Sequence, residues 1–134
     1  MRHVRSEADF ARMLEEPRVL LYIFVDWSIY AAKSGLHIVE EVEAHFTATA
    51  NGSRVSFWLA DVSDSNSPAF FTADRLMQEQ ERTEIRLFPA ISTGNGSVVW
   101  INHGRVVDFA LSASHLKRSG VIEKTESLFR AGAH

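Results

Sequence analysis

The chain has 134 residues, a formal net charge of −3 at pH 7 and no cysteine. A chain of this length can form one domain that buries roughly 70% of its unfolded surface, so it needs neither a disulfide nor a metal for stability. The absence of cysteine excludes thiolate catalysis, thiolate metal ligands and dithiol redox chemistry. The 14 Lys and Arg residues are scattered along the chain, which disfavours binding to nucleic acid or to an anionic membrane surface.

Targeting signals are not evident in the sequence. Its longest apolar run is much shorter than the roughly 20 residues that span a bilayer, and its first residues lack the apolar core of a signal peptide. We therefore expect a cytoplasmic protein without membrane association.

The first predicted element is a short helix. Residues 6–9, Ser-Glu-Ala-Asp, resemble a capping box, and Phe10 and Leu14 then fall on one helical face that ends before Pro17.

The most informative stretch covers residues 18–35. Residues 19–25 are seven consecutive apolar residues, rich in β-branched and aromatic types, which predicts a strand buried on both faces in the middle of a sheet. After an Asp-Trp corner, the period changes to that of a helix over residues 29–46. The Ser28 hydroxyl is expected to cap this helix, and the Ser34-Gly35 pair is a recognised place for a helix to bend.

Strands and helices alternate in the rest of the chain. Residues 54–61 predict a second strand, and Ser67-Pro68 predicts the start of a third helix that runs to about Glu81. Pro89 follows Phe88 between two apolar stretches, which favours a turn, a bulge or a cis bond at that point.

The final part of the chain predicts a hairpin and a helix. Residues 97–102 and 105–110 form two short strands joined through His103-Gly104. Residues 112–130 form one interrupted helix, with a break expected at Gly120.

This order of elements resembles the thioredoxin family over nearly the whole chain. Residues 24–31, Phe-Val-Asp-Trp-Ser-Ile-Tyr-Ala, stand where the family has a strand ending in an acidic residue, a tryptophan and the Cys-Gly-Pro-Cys motif. Residues 85–90 resemble the approach to the family's cis-proline, and residues 98–107 resemble its last hairpin. The resemblance implies an α/β thioredoxin-like fold, with a central mixed sheet and helices on both faces, in a single domain spanning residues 1–134.

The departures from the family pattern concern the redox chemistry. Ser28 and Ala31 stand at the two cysteine positions, and Tyr22 stands at the place of the family's buried acid. A serine hydroxyl cannot replace the attacking thiolate, because its pKa is far above neutrality and oxygen forms no reversible bond to a partner sulfur. The resemblance therefore implies a thioredoxin-like domain without redox activity.

A peptide-binding groove is the function that such a domain can retain. In the family, the groove beside the cis-proline binds extended peptide through backbone hydrogen bonds, which require no cysteine. We predict a protein- or peptide-binding module, chaperone-like or scaffolding, with no catalytic residue, metal or cofactor. The candidate groove is formed by Trp27, Ser28, Ile29, Tyr30, Ala31, Phe88 and Pro89, with Pro89 in contact with residues 28–31.

Two alternatives remain open. The chain could be a small non-thiol enzyme or a glutathione-binding protein that uses Ser28 and Tyr30, because hydroxyl residues donate to the glutathione thiolate in glutathione transferases, which share this fold. It could also be a subunit of a homo-oligomer whose interface is a patch formed by Trp27, Ile29, Tyr30 and Phe88. His37, Glu41 and His45 have metal-compatible spacing, but a solvent-facing row on a helix is the simpler interpretation.

Overall fold

A mixed five-stranded sheet lies at the centre of the computed structural model, which describes residues 1–48, 54–82 and 95–131. The strands are β1 (Arg2–Val4), β2 (Arg18–Phe24), β3 (Ser56–Asp61), β4 (Val98–Asn102) and β5 (Arg105–Ala110). They lie in the order β1-β3-β2-β4-β5. The first three are parallel to one another, whereas β4 is antiparallel to both β2 and β5.

Helices cover both faces of this sheet. They are α1 (Glu7–Glu15), α2 (Leu36–Ala48), α3 (Phe71–Arg82) and α4 (Ala113–Ala131). Phe10 of α1 and Leu76 of α3 belong to the core on one face, whereas Val39 of α2 and Val121 of α4 belong to the core on the other. The predicted α/β class, with a mixed sheet between two helical layers in a single domain, is confirmed.

The central position of β2 follows from its composition. Val19, Leu21 and Ile23 point into the α1/α3 core, whereas Leu20 and Tyr22 point into the α2/α4 core. All five are at most 3% exposed. Each such burial contributes roughly 1.5–3 kcal/mol relative to an exposed side chain, which favours a strand with a neighbour on each side.

The capping box at the start of α1 is formed, with one difference from the simplest pattern. The Ser6 hydroxyl accepts a hydrogen bond from the Asp9 backbone N–H (3.1 Å), as predicted. The Asp9 carboxylate accepts from the backbone N–H of Arg5 (2.9 Å) rather than from that of Ser6, and this bond lowers the pKa of Asp9. Strand β1, which precedes the box and pairs with β3, was not predicted.

Helix α3 begins later than predicted. The Phe70 N–H donates to the Ser67 carbonyl (3.1 Å) and the Thr72 N–H donates to the Ala69 carbonyl (2.9 Å), so tight turns precede the helix. The Ser67 hydroxyl accepts from the Asp64 N–H (3.1 Å) in the loop before it. The helix start predicted at Ser67-Pro68 is therefore wrong, because this serine closes the preceding turn.

The last hairpin is confirmed, and the break in α4 is displaced from its predicted position. His103 (φ 50°) and Gly104 (φ 78°) are both left-handed, as the tightest hairpin turns require. In α4 the non-helical residue is Lys117 (φ 65°, ψ 169°), whereas a break was expected at Gly120.

Candidate functional site

The corner between β2 and α2 is built on a widened helical turn. After β2 the chain turns at Asp26-Trp27 and enters a π-helical segment, Tyr30–Gly35, which leads into α2. The Ser28 carbonyl accepts from the backbone N–H groups of Ala31 (3.2 Å) and Ala32 (2.8 Å). Ile29 precedes the π-helical segment, and no side-chain hydrogen bond caps it. The cap predicted from the Ser28 hydroxyl is therefore wrong, because Ser28 acts through its carbonyl.

Tyr22 explains why the helix widens here. Its side chain is fully buried, and its hydroxyl donates to the Ala31 carbonyl (2.5 Å). A Cβ added at Gly35 would lie 2.5 Å from the Tyr30 carbonyl oxygen and closer still to the Tyr22 hydroxyl, so only glycine leaves room for the phenol. A side chain that inserts into the hydrogen-bond ladder is a recognised cause of helix distortion. The bend predicted at Ser34-Gly35 coincides with the end of this segment.

The Tyr22 phenol is a neutral group at this position. Burial raises the pKa of Tyr22 above its ordinary value, because the phenolate would lose its hydration. The protonated hydroxyl can then donate to the Ala31 carbonyl. The interior below the corner thus holds a hydrogen-bond donor at the position where the resemblance places an acid.

The loop before β4 contacts the corner through Gly96. This residue has φ 74°, and a Cβ there would lie 2.6 Å from the Tyr22 hydroxyl and 3.1 Å from the Ala31 Cα. Its carbonyl accepts from the Ala113 N–H (2.9 Å), and the next carbonyl, that of Ser97, accepts from the Ile23 N–H (2.9 Å). Gly96 and Ser97 together therefore join the corner to β2 and to the start of α4.

Sequence reasoning did not identify Gly96, although the Gly-Asn-Gly of residues 94–96 directly before β4 was the available signal. It assigned the contact with the corner to Pro89 instead. Phe88 and Pro89 lie outside the described residues, so their place in the groove and the geometry of their bond stay predictions.

The remaining predicted site residues differ in how exposed their side chains are. Trp27 and Ile29 are each 63% exposed and Tyr30 is 59% exposed, and we call these three side chains the corner patch. Ser28 is half-buried between them. The Ala31 side chain is fully buried in the α1/α3 core, so Ala31 contributes a carbonyl to Tyr22 and no side chain to the surface.

Hydrogen bonds to the loop after β3 hold Trp27 in place. The indole Nε1–H donates to the Ser63 carbonyl (3.0 Å), and the Asp26 backbone N–H donates to the Ser63 hydroxyl (2.9 Å). That hydroxyl in turn donates to Asp61 Oδ1 (2.5 Å). The ring is thus oriented by its polar edge while most of its surface remains open to solvent.

A cavity of about 650 Å³ lies on the other side of the corner patch, between Tyr30 and the first turn of α4. Its lining includes Tyr30, Asn95, Leu111, Ser112, Ser114 and His115. Ser114 also bonds to the Ser34 hydroxyl (2.5 Å), which joins the cavity wall to the π-helical segment. The mixture of apolar, hydroxyl, amide and imidazole groups suits either an apolar side chain or a small polar ligand. No sequence pattern marked this cavity, because tertiary packing alone brings its walls together.

The histidine row on α2 does not converge on a metal site. His37 Nε2 lies 2.8 Å from Glu41 Oε1, and the other oxygen of Glu41 lies 3.7 Å from Arg118 Nε. His45 packs edge-on against Phe46. Within residues 1–48, 54–82 and 95–131, no group of three or more His, Asp or Glu side chains is placed to hold a metal ion. The helices in those same ranges include none that is both long and apolar enough to cross a membrane.

Comparisons with known proteins agree with this architecture. No protein-family model and no curated protein sequence matches the chain significantly. Among solved structures, oxidised thioredoxin from Plasmodium falciparum superposes with a TM-score of 0.61 at 18% identity, covering 92% of this chain and 96% of that one. Thioredoxin from Fasciola hepatica gives 0.57 at 18% identity, with 95% and 98% covered, and thioredoxin from Trypanosoma brucei brucei gives 0.61 at 14% identity, with 96% and 89% covered. Similarity at these identities shows the fold alone. The chain therefore has the thioredoxin fold, and because it contains no cysteine it carries that fold without the Cys-x-x-Cys motif.

Proposed function

We propose that this chain is a redox-inactive thioredoxin-fold module that binds an extended protein or peptide segment at the corner patch. The observation that carries the proposal is the exposure of Trp27, Ile29 and Tyr30, each about 60%, at one corner of the fold. The three residues lie within four positions of the chain, and clustered exposed apolar side chains are typical of interaction sites on soluble proteins. Aromatic side chains are also the types that most often dominate binding energy at interfaces.

The chemistry of the corner supports binding rather than catalysis. Ser28 and Ala31 offer no thiolate, and the Tyr22 hydroxyl below them is buried and already donates to a carbonyl. A partner would therefore be held without a covalent bond. We extend the groove to Phe88 and Pro89, and we place the protein in the cytoplasm, as parts of the same proposal.

The cavity beside Tyr30 adjoins the corner patch, because the Tyr30 side chain belongs to both. Leu111, which is 45% exposed, lies on its far wall. An extended segment that crosses the Tyr30 ring could insert one apolar side chain there, while its neighbours pack on Trp27 and Ile29. Such alternation of inserted and surface side chains is usual for extended peptides on the edge of a domain.

The test uses a fluorescein-labelled, permanently unfolded chain whose own cysteines are chemically blocked, so that thiol exchange cannot contribute. We expect the wild-type protein to raise its fluorescence anisotropy, and Tyr30→Ala to weaken binding by about tenfold because an exposed aromatic contributes to binding more than to the core. Tyr30→Phe keeps the ring and should bind like the wild type. An insulin-reduction assay should show no turnover above background.

Thermal unfolding provides the control for these variants. The melting temperature of Tyr30→Ala should stay within about 2 °C of the wild type, because its side chain is mostly exposed. A large drop would make Tyr30 a core residue, and unchanged binding by this variant would exclude the corner patch as the binding surface.

The polar groups of the cavity favour a second candidate, a protein that binds glutathione or another small thiol through Ser28 and Tyr30. Asn95, Ser112 and His115 supply the donors and acceptors that such a ligand needs. Titration calorimetry with millimolar glutathione distinguishes the two functions. Heat that disappears in Tyr30→Phe would favour the second candidate, because this variant lacks only the hydroxyl. The third possibility, a homo-oligomer interface, would give a concentration-dependent mass in analytical ultracentrifugation.

A further inference from the structure

One flank of the corner patch is acidic. Asp26 directly precedes Trp27 in the chain, and Asp64 directly follows Ser63, whose carbonyl accepts the indole N–H. Asp61 accepts from the hydroxyl and the backbone N–H of that same Ser63. Two acidic residues therefore adjoin Trp27 and Ser63 in the chain, and a third, Asp61, bonds to Ser63 itself.

None of these carboxylates is neutralised by a cation within the described parts of the chain. Asp61 accepts from Ser63, and Asp64 accepts from the Asn66 backbone N–H (2.7 Å), so both have only uncharged donors. Asp26 and Asp64 are exposed. Elsewhere in the molecule acidic side chains do have cationic partners, as in Glu7–Arg75, Asp9–Arg12, Glu16–Arg2, Glu41–Arg118 and Asp108–Lys124.

We propose that the segment bound at the corner patch is one in which apolar residues are flanked by lysine or arginine. This inference rests on the proposed function and adds the charge of the partner. Apolar side chains would pack on Trp27, Ile29 and Tyr30, while a basic side chain beside them would lie against Asp26 and Asp64. The open face of Trp27 can also accept a guanidinium or ammonium group, which aromatic rings attract.

The arrangement disfavours two other occupants. An acidic segment would bring like charges together beside Trp27, which weakens binding and slows association. A second copy of this chain, paired symmetrically about the same tryptophan, would place its own Asp26 and Asp64 against those of the first. A basic partner instead benefits from attraction both in the encounter and in the complex.

The test uses three short fluorescein-labelled peptides with the same Phe-Ile-Leu core, flanked by lysines, by serines or by glutamates. At about 50 mM salt we expect the lysine-flanked peptide to bind about tenfold more tightly than the serine-flanked one, and the glutamate-flanked peptide to bind more weakly than both. At about 0.5 M salt the lysine preference should fall to about twofold, because exposed charges are then screened.

Two matched double variants separate the local effect from net charge. Asp26→Asn with Asp64→Asn should remove the lysine preference, and asparagine at position 64 keeps an acceptor for the Asn66 N–H. Glu15→Gln with Glu123→Gln changes the net charge equally at exposed positions on α1 and α4, and should leave the preference intact.

The outcomes distinguish this inference from the proposed function. Equal binding of the lysine- and serine-flanked peptides to the wild type would overturn the inference and leave the binding function in place. Loss of the preference in the control variant as well would also overturn it, because the effect would then come from overall charge. Failure of all three peptides to bind, or binding that Tyr30→Ala does not weaken, would overturn both.

Discussion

Tyr22 is the single side chain on which the geometry of the corner depends most. Its hydroxyl satisfies the Ala31 carbonyl, which lies in the interior where water cannot replace a missing donor. Tyr22→Phe would keep the ring and remove this bond. We expect the variant to lose about 1–2 kcal/mol of unfolding free energy, because a buried carbonyl would be left unsatisfied. Urea denaturation measures the loss, and a variant as stable as the wild type would show that the bond contributes nothing.

The pH dependence of stability provides a second readout of the same residue. The pKa of Tyr22 is raised in the folded protein above its ordinary value of 10.0, so the folded state keeps the proton that the unfolded state loses. The contribution of Tyr22 to the unfolding free energy is therefore complete below about pH 10. It decreases as the pH rises further, by up to about 1.4 kcal/mol per pH unit. Between pH 9 and pH 11 the wild type should lose stability more steeply than Tyr22→Phe. Parallel losses in the two proteins would contradict the prediction, since all other titrating groups are common to both.

Several residue-level features of the corner could be anticipated and others could not. The sequence grouped Trp27, Ile29 and Tyr30 at one corner, because residues that directly follow a central strand must lie at the end of the sheet. It could not indicate that Ala31 faces inward, because that depends on how the segment packs against the α1/α3 core. The role of Gly96 was also hidden, since it arises from a contact between segments distant in the chain.

At the scale of the elements, two helical glycines form a natural comparison. A Cβ at Gly35 would collide with the Tyr22 hydroxyl and the Tyr30 carbonyl, whereas a Cβ at Gly120 would meet only Leu116 at 3.4 Å. Gly35→Ala should cost about 2–3 kcal/mol through overpacking. Gly120→Ala should be neutral or stabilise by up to about 1 kcal/mol, because alanine favours a helix. Denaturation of both variants measures the difference, and similar effects would contradict the crowding at Gly35.

A buried polar bridge fixes α4 to the sheet. The Trp100 indole N–H donates to the Thr125 hydroxyl (2.9 Å), which donates to the Val121 carbonyl one turn earlier (2.7 Å). Thr125→Val keeps the shape of the side chain and leaves the buried indole N–H without an acceptor, at a cost of about 1–3 kcal/mol.

Thr47 provides the matched control for this bridge. Its hydroxyl makes the same bond to the carbonyl one turn earlier, that of Glu43 (2.9 Å), on an exposed surface. Thr47→Val should change the unfolding free energy by less than about 0.5 kcal/mol. Equal effects at the two positions would show that the Trp100 bond is not what stabilises α4.

The elements that could be predicted are those whose signal is local. The apolar run of β2, the capping box of α1 and the His103-Gly104 turn each specify their structure within a few residues. Strand β1 is only three residues long, which is too short for an apolar periodicity to be recognised. It forms because its backbone can pair with the edge of β3. The helix break at Lys117 carries no sequence signal and nothing in the structure explains why it falls there rather than at Gly120.

At the scale of the whole molecule, the corner keeps Ser28 and Ala31 close together although the sequence has no cysteine at either position. The bond from the Ala31 N–H to the Ser28 carbonyl (3.2 Å) closes a tight turn between these two positions. Such turns bring the two Cα atoms within the range that a disulfide spans. The double variant Ser28→Cys with Ala31→Cys should therefore form an intramolecular disulfide under mild oxidation.

Thiol titration after oxidation checks this prediction. We expect no free thiol in the double variant and one in Ser28→Cys alone, with both proteins still folded. Two free thiols in an oxidised, folded double variant would show that the corner differs from a disulfide-competent turn.

The absence of thiols at Ser28 and Ala31 affects how long a partner complex would last. A thiol at this position can hold a partner in a mixed disulfide until a second thiol releases it, so the duration of the complex is set by chemistry. For the partner complex proposed above, the duration would depend only on the dissociation rate. For a micromolar complex with an ordinary association rate constant of about 10⁶ M⁻¹s⁻¹, the lifetime is about one second. A module of this kind would bind and release its partners continually. An oxidant that inactivates a thiol-dependent protein would not change this rate of partner exchange.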